Sequence, residues 1–547
     1  MVQKSVVMHR LTSLWRPGWL VIVALVICAA SLLLYTSQYA VNMMFWDQWG
    51  VYGVFFAHGS WLDALRWQVG QHRQGLGALL IYLTSSFTAW DGRADAFLVA
   101  VTLIVATILA LLLIKRYTGR FSLLDVVIPV LFLSLNQWEV VTIVPNVSAA
   151  ALPLALVILY ALGLTIARAR VQVIVLSILN ALLLYTGYGL IADFITPLLF
   201  AWRSLRPEQR GNAPGIRWWW LAGLALALII AATFFANYVF TTGADCPVFP
   251  HPYPFDYLVF VGLMVAQGFG LAPLADQLGM ANGAAMLIGL LIIIAAILIA
   301  CKSIRTARGM AVVFLIGYAL LFVSMAAVGR VCLGATRQAL SSRYTTLVLP
   351  LILGIYLWAR AQNMRRQITT GAGISALLLL SLLPPFYRSP YTLTPQVFHD
   401  YKTTWAACYV ATLDPYHCNT VAGSPVYPET QAIIGSLRFL EQNRLNLFRD
   451  MAQDVVIVSP ARLESASVPI MGIVNPPGFE RYEVQWGTGE YPKEWQWLSG
   501  PHRSPIPYGK ITEWNTSSLP SGLYTVRVTV FLQGGGQRIV MARFTKP

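Results

Sequence analysis

The run Trp19-Leu20-Val21-Ile22-Val23-Ala24-Leu25-Val26-Ile27-Cys28-Ala29-Ala30-Ser31-Leu32-Leu33-Leu34-Tyr35-Thr36 contains no charged residue. At the rise of an α-helix, about 18 residues cover roughly 27 Å, close to the thickness of a bilayer's hydrocarbon core. Lys4, Arg10 and Arg16 precede the run, and no small-x-small cleavage site follows it. It therefore reads as an uncleaved first transmembrane helix with a cytoplasmic N-terminus.

The pattern continues outward from this helix. Further apolar runs occupy roughly 76–90, 95–114, 121–139, 147–167, 171–185, 187–202, 218–241, 257–273, 282–301, 309–329, 344–359 and 368–386. The chain is 57% hydrophobic and only 11% charged, against about 25% charged in an ordinary soluble protein. Its net charge of +15 does not indicate nucleic acid. The cations sit in short loops between apolar runs: Lys115-Arg116, Arg168 and Arg170, Arg203 to Arg217, Lys302 to Arg308, and Arg360 to Arg366. Such loops stay cytoplasmic. Strict alternation through all thirteen runs would carry Arg203 to Arg217 outside. Treating 257–273 as re-entrant or interfacial, and 76–114 as one net crossing, leaves about eleven crossings, with basic loops inside and the C-terminus outside. A multi-pass protein of the bacterial cytoplasmic (inner) membrane is expected, with membrane lipids as its surroundings.

Two regions depart from this pattern. Residues 37–75 form a long loop containing Phe45-Trp46-Asp47-Gln48-Trp49 and the amphipathic Trp61-Leu62-Asp63-Ala64-Leu65-Arg66-Trp67, which suggests interfacial helices with Trp at headgroup depth. After the membrane part (1–386) comes a polar linker (387–453), in which Glu429 to Phe448 has helical periodicity through Ile433, Ile434, Leu437, Leu440, Leu445 and Phe448. Residues 454–547 then alternate in short runs such as Tyr482-Glu483-Val484-Gln485-Trp486 and Tyr524-Thr525-Val526-Arg527-Val528-Thr529-Val530, broken by Gly, Pro, Asn and Ser. About seven strands fit, which suits an extracytoplasmic all-β immunoglobulin-like sandwich. Trp486, Trp495, Trp497 and Trp514 are expected to fill its core, with a sugar-stacking surface as the rival reading. Of the six cysteines, Cys408 and Cys418 lie ten apart in the polar part and are expected to pair in an oxidising compartment; Cys246 and Cys332 form a second candidate pair.

Polar residues collect at the expected external ends of the apolar runs: Asp47 and Gln48, His72 and Arg73, Asn136 to Glu139, Tyr185 to Asp193, the Asp245 to Asp256 loop, and Arg330 to Tyr344. Ionisable groups at such depth are costly, which makes them functional candidates beside the plainer reading of solvated loops. Asp47, flanked by Trp46 and Trp49, fits a general base for a hydroxyl, a ligand for a phosphate-bound metal, or a cap for the following helix. Arg343 could fork onto a phosphate, with Arg330 and Arg337 adding charge, or reach toward lipid headgroups. No His or Cys spacing indicates a metal site.

A first transmembrane helix, a long external loop opening with an acid, interfacial helices and a multi-helix body together resemble the GT-C superfamily of membrane glycosyltransferases. Phe45-Trp46-Asp47-Gln48-Trp49 and Gln71-His72-Arg73-Gln74-Gly75 are similar to the "FWDDW … HxEHR" pattern of bacterial members, and Ser342-Arg343-Tyr344 is similar to a later one. The resemblance covers roughly residues 1–390. It implies a catalytic acid at Asp47, a polyprenyl-(di)phosphate sugar donor whose phosphate meets Arg343, Tyr344, Arg337, His72 and Arg73, and a glycan or protein acceptor. Gln48 stands where many members have a second acid, and the acid of the second pattern is missing. These departures favour metal-independent base catalysis, with no cofactor, and leave Glu139 as a candidate second acid. Leu519-Pro520-Ser521-Gly522-Leu523-Tyr524-Thr525-Val526-Arg527-Val528 resembles the "LpdGxYtLRL" ending of envelope immunoglobulin or fibronectin-like modules. The alternative to an enzyme is a non-catalytic membrane scaffold with a β-sandwich docking module. A transporter would require two related halves with broken helices, and no internal repeat is evident.

Overall fold

The computed structural model describes residues 17–205, 215–240, 249–271, 282–306, 309–362, 390–449, 455–457, 463 and 465–547. The apolar run at 368–386, most of the Arg203 to Arg217 loop and Cys246 lie outside them. The chain divides into two compact units. The first comprises residues 1–40, 47–88 and 92–397; the second takes 398–547 together with the short pieces 41–46 and 89–91.

The first unit is helical and membrane-spanning. Among the described residues, six helices are long and apolar enough to cross a membrane: Gly18–Tyr39, Gly92–Thr118, Ile216–Phe235, Asn282–Ser303, Gly309–Leu333 and Ser342–Arg360. Shorter apolar helices include Gly75–Thr88, Ala151–Gly163, Ala169–Leu184 and Phe255–Gly268. A helix of 14 residues, as in Gly75–Thr88 and Phe255–Gly268, reaches only about 21 Å, short of a full crossing. The span Ser342–Arg360 is central, with 83% of its window buried, whereas Gly18–Tyr39 at 17% and Asn282–Ser303 at 22% present themselves to lipid. Small residues let helices approach closely where no hydrophobic force separates helix from lipid. A Cβ at Gly289 would come within 1.9 Å of the Gly262 carbonyl oxygen.

The run 121–139 does not form the single helix expected of it. It breaks into a 3₁₀ turn Leu123–Val126, a helix Val127–Phe132, a 3₁₀ turn Leu135–Gln137 and a π-turn Glu139–Ile143. Side-chain caps compete with the helix here. Ser122 and Asp125 close a capping box, and Ser134 Oγ accepts the Asn136 N–H. Asp125 is fully buried and also accepts from Tyr356 Oη at 2.7 Å and Arg360 Nε at 3.1 Å, so its charge is matched.

The loop after the first helix folds into short helices, Asp47–Val51, Gly53–Phe56 and Trp61–Arg66, and then a two-stranded hairpin, β1 (Gln68–Val69) and β2 (His72–Arg73). Two residues per strand leave no period to detect, so the sequence shows no sign of this hairpin.

The second unit joins a helical linker to a β-sandwich. Helix Thr430–Asn443 buries Ile433, Ile434, Leu437 and Leu440, as its periodicity requires. Cys408 and Cys418 form a disulfide with Cα atoms 5.6 Å apart. Cys332, in the first unit, is also disulfide-bonded. Seven antiparallel strands follow: β3 (Val455–Ile457), β4 (Ser467–Val474), β5 (Phe479–Thr488), β6 (Gln496–His502), β7 (Ile506–Asn515), β8 (Gly522–Leu532) and β9 (Gln537–Lys546). They make one sheet of order β3-β4-β7 and another of order β6-β5-β8-β9. Both contribute to a single core that includes Ile470, Ile511 and Trp514 from the first, and Val484, Val526 and Val528 from the second. Tyr524 Oη donates to the Pro520 carbonyl at 2.7 Å, the corner contact such sandwiches place before their sixth strand. The four tryptophans divide: Trp514 and Trp486 pack in the core, while Trp497 is exposed and Trp495 half-buried outside it.

Candidate active site

Polar groups from four segments of the first unit converge on Tyr188. Its ring lies 4.7 Å from that of His72 and meets Phe322 edge-on at 4.9 Å. Its hydroxyl is within electrostatic reach of Tyr344, Arg343, Arg330 and Asp47. Burial, reinforced by Tyr344 and Asp47, pushes the phenol up to about 12, so it stays protonated. Arg343 senses the same partners, Tyr344, Glu139, Tyr188 and Asp47. Asp47, Tyr188 and Arg343 thus share one electrostatic neighbourhood although 141 and 155 residues of chain intervene.

Local chemistry explains how each segment arrives. Asp47 is exposed and opens the helix Asp47–Val51, where a carboxylate is favoured by the positive end of the helix. Its neighbour Gln48 is buried and donates from Nε2 to Asp95 Oδ2 at 3.2 Å, and Tyr52 Oη donates to the same carboxylate at 3.1 Å. The acid absent at position 48 therefore has a counterpart in Asp95, which anchors the loop from below. Tyr188 is carried in Thr186-Gly187-Tyr188-Gly189, a tight turn between two helices. A Cβ at Gly189 would fall 1.4 Å from the Leu183 carbonyl oxygen, so only glycine fits there. The Gly187 N–H donates to the Ser148 carbonyl, Ser148 Oγ to the Gln74 carbonyl, and the Leu76 N–H to the Tyr185 carbonyl. Those bonds fasten the hairpin's exit to the tyrosine turn.

The segment after Arg330 is organised by Glu139. Its carboxylate accepts from Ser341 Oγ at 2.6 Å and from the Arg343 backbone N–H at 3.3 Å, and lies 3.8 Å from Arg343 Nε. Its own backbone N–H donates to Ser342 Oγ at 3.0 Å. Arg343 Nη2 donates to Gln338 Oε1 at 3.0 Å, and its guanidinium lies over the Tyr344 ring, 5.1 Å from the centroid. Its buried Nε has no hydrogen-bond partner. Glu139 is therefore a holder of the arginine segment rather than a second acid facing outward. Tyr344 is a buried aromatic floor near Phe260 and Phe322. Arg337 is exposed on the short helix Ala335–Ala339.

Strand geometry separates His72 from Arg73. Successive side chains of a strand point to opposite faces. His72 turns toward Tyr188, while Arg73 turns under the end of the helix Gly215–Phe235. There Arg73 donates from Nε to the Phe234 carbonyl at 2.8 Å, from Nη2 to Ala236 at 2.7 Å and from Nη1 to Arg66. It is buried and also lies near the Phe234 and Tyr238 rings. All three nitrogens are spent on carbonyls, so the expected phosphate role of Arg73 is replaced by a clamp on a helix C-terminus. Desolvation, with the Arg330 cation second, holds the His72 imidazole down at about 4. At neutral pH it offers a neutral donor or acceptor, not the cation expected for a phosphate. Among the described residues, no group of three or more His, Cys, Asp or Glu side chains is placed to hold a metal ion.

The sequence missed Tyr188 as a focus, although a bulky residue between two glycines after an apolar run was its available signal. No protein family model matches the chain, and no curated protein matches it. Among solved structures it is similar to the crystal structure of ArnT from Cupriavidus metallidurans in the apo state, at 12% identity and a TM-score of 0.40, covering 81% of this chain and 82% of that one. No residue role is drawn from that likeness.

Proposed function

We propose that the protein is a membrane glycosyltransferase of the GT-C type that moves a sugar from a polyprenyl-phosphate or -diphosphate carrier to an extracytoplasmic acceptor. The observation that carries this reading is the shared neighbourhood of Asp47, Tyr188 and Arg343, in which a carboxylate and a partly satisfied guanidinium flank a protonated phenol. The sequence resemblance around Asp47 and Arg343 supports it independently.

In the proposed reaction the acceptor hydroxyl attacks the anomeric carbon while Asp47 takes its proton. The bond from that carbon to the phosphate oxygen breaks, and its electron pair leaves with the lipid phosphate. Arg343 stabilises the growing negative charge. Glu139 positions Arg343, and Tyr188 supplies a neutral hydrogen-bond donor between acid and base. A positioned carboxylate base contributes about a hundredfold to ten-thousandfold in rate.

Asp47→Asn keeps the shape and removes the basicity. It should leave insertion and thermal stability unchanged and abolish transfer from a defined polyprenyl-phosphate sugar pool in membranes. Equal transfer by wild type and Asp47→Asn would make Asp47 structural. A wild type inert toward every lipid-linked donor would favour the scaffold reading.

A further inference from the structure

The outer face of the β6-β5-β8-β9 sheet carries an aromatic and a cation that the core does not use. Trp497 on β6 pairs directly with Gln485 on β5, and Gln485 pairs directly with Arg527 on β8. Directly opposed residues share a face, with Cβ atoms about 4.5–5.5 Å apart. Trp497 is 52% exposed. Trp495, just before β6, lies beneath Arg527, whose guanidinium carbon is 4.2 Å from the ring centroid.

Arg527 is held but not neutralised. Its Nε donates to Gln485 Oε1 at 2.6 Å, and that bond with the Trp495 stack fixes the guanidinium plane. Among the described residues, its Nη1 and Nη2 have no hydrogen-bond partner and no carboxylate pairs with it. In the same unit Arg438, Arg481 and Arg543 each hold a glutamate. Burial also disfavours the charge on Arg527, a cost that a bound anion would offset.

A flat exposed indole beside a pre-oriented pair of guanidinium donors suits a ligand with an apolar face and an anionic group at its edge. The C–H face of a pyranose stacks on an aromatic ring, and a sugar carboxylate or phosphate accepts from paired guanidinium nitrogens. We propose that Trp497 and Arg527 form a binding site for an acidic saccharide, with the sugar ring on Trp497 and its anionic group on Nη1 and Nη2 of Arg527. The polar neighbours on this face, Gln485 and Thr529 opposite Glu483, offer hydroxyl-binding groups that a purely lipid-inserting surface would lack. The site does not depend on the transferase reading, because it concerns binding alone.

The test uses the full-length protein in nanodiscs of zwitterionic lipid, titrated with oligogalacturonate, with phosphorylated mannose oligomers and with neutral maltohexaose. An acidic oligosaccharide should bind, and Trp497→Ala and Arg527→Gln should each weaken it by about tenfold or more. Trp497→Tyr should recover most of the affinity, since stacking survives, and all three variants should keep the wild-type melting temperature. Preference between the first two ligands identifies carboxylate or phosphate as the anion. Absence of binding to either, or equal binding by wild type and Trp497→Ala, overturns the proposal. So does equal affinity for maltohexaose, or loss in the variants of adhesion to phosphatidylglycerol vesicles with saccharide binding unchanged; the last outcome would make the face a membrane contact.

Discussion

Arg73 and Arg343 enter the membrane unit from two different loops and are put to opposite uses. Arg73 is 3% exposed and gives all three guanidinium nitrogens to backbone carbonyls at 66, 234 and 236. Arg343 gives one nitrogen to Gln338, stands 3.8 Å from Glu139 and keeps a buried Nε without a partner. A fully satisfied buried cation is a structural tie, because its removal strands several acceptors at once. A partly satisfied one is held in place yet retains donors for something that arrives later. The difference teaches that a basic residue near a polar cluster says little about ligand binding until its hydrogen bonds are assigned.

The comparison can be broken most directly at Arg73. Arg73→Ala should destabilise the membrane unit by about 3 kcal/mol or more, since three carbonyls lose a charged donor. Thermal unfolding in detergent would measure this, and transfer should fall only in proportion to the folded fraction. A variant that melts like wild type would show that the clamp is dispensable.

Arg343→Ala should do the reverse. Melting should shift little, while transfer should fall on the order of tenfold to a hundredfold, the loss expected for one charge-stabilising donor of about 2–3 kcal/mol. Arg343→Lys keeps the charge without the fork and should lose less. Glu139→Gln should mimic a fraction of the Arg343→Ala effect through mispositioning. A melting loss at Arg343→Ala as large as at Arg73→Ala would erase the distinction between the two arginines.

His72 offers a smaller, pH-resolved effect. Its folded imidazole is held at about 4, below the ordinary 6.5, chiefly by burial. The unfolded chain therefore takes up a proton between these values that the folded chain does not. The associated stability is complete above pH 6.5 and is lost as pH falls toward 4, by up to about 2–3 kcal/mol. His72→Gln should flatten that part of the stability profile relative to wild type. An unchanged slope between pH 7 and 5 would show that the ring is solvated.

Much of the architecture was legible before the structure. The helix Pro17–Tyr39, the spans ending at Lys115-Arg116 and Arg360, and the alternating strands around Tyr482 and Tyr524 all follow from hydropathy period. The run 121–139 misled because Ser122, Ser134 and Glu139 spend their side chains on caps and cross-chain bonds that an apolar average cannot register. At the candidate site, Asp47, His72, Glu139 and Arg343 were visible as residues. Their division into acid, neutral imidazole, holder and held cation was not.

The sequence by itself determined that this chain crosses a membrane many times and ends in a β-sandwich. Both outcomes follow from water exclusion averaged over runs of about ten to twenty residues, a property that local composition carries. Only the tertiary structure decided that Tyr188 stands among Asp47, His72, Arg330 and Arg343, that Arg73 ties down a helix end, and that Trp497 faces out while Trp514 faces in. These outcomes depend on short-range forces between groups far apart in the chain, and hydrogen bonds and ion pairs act over a few ångströms that no periodicity encodes.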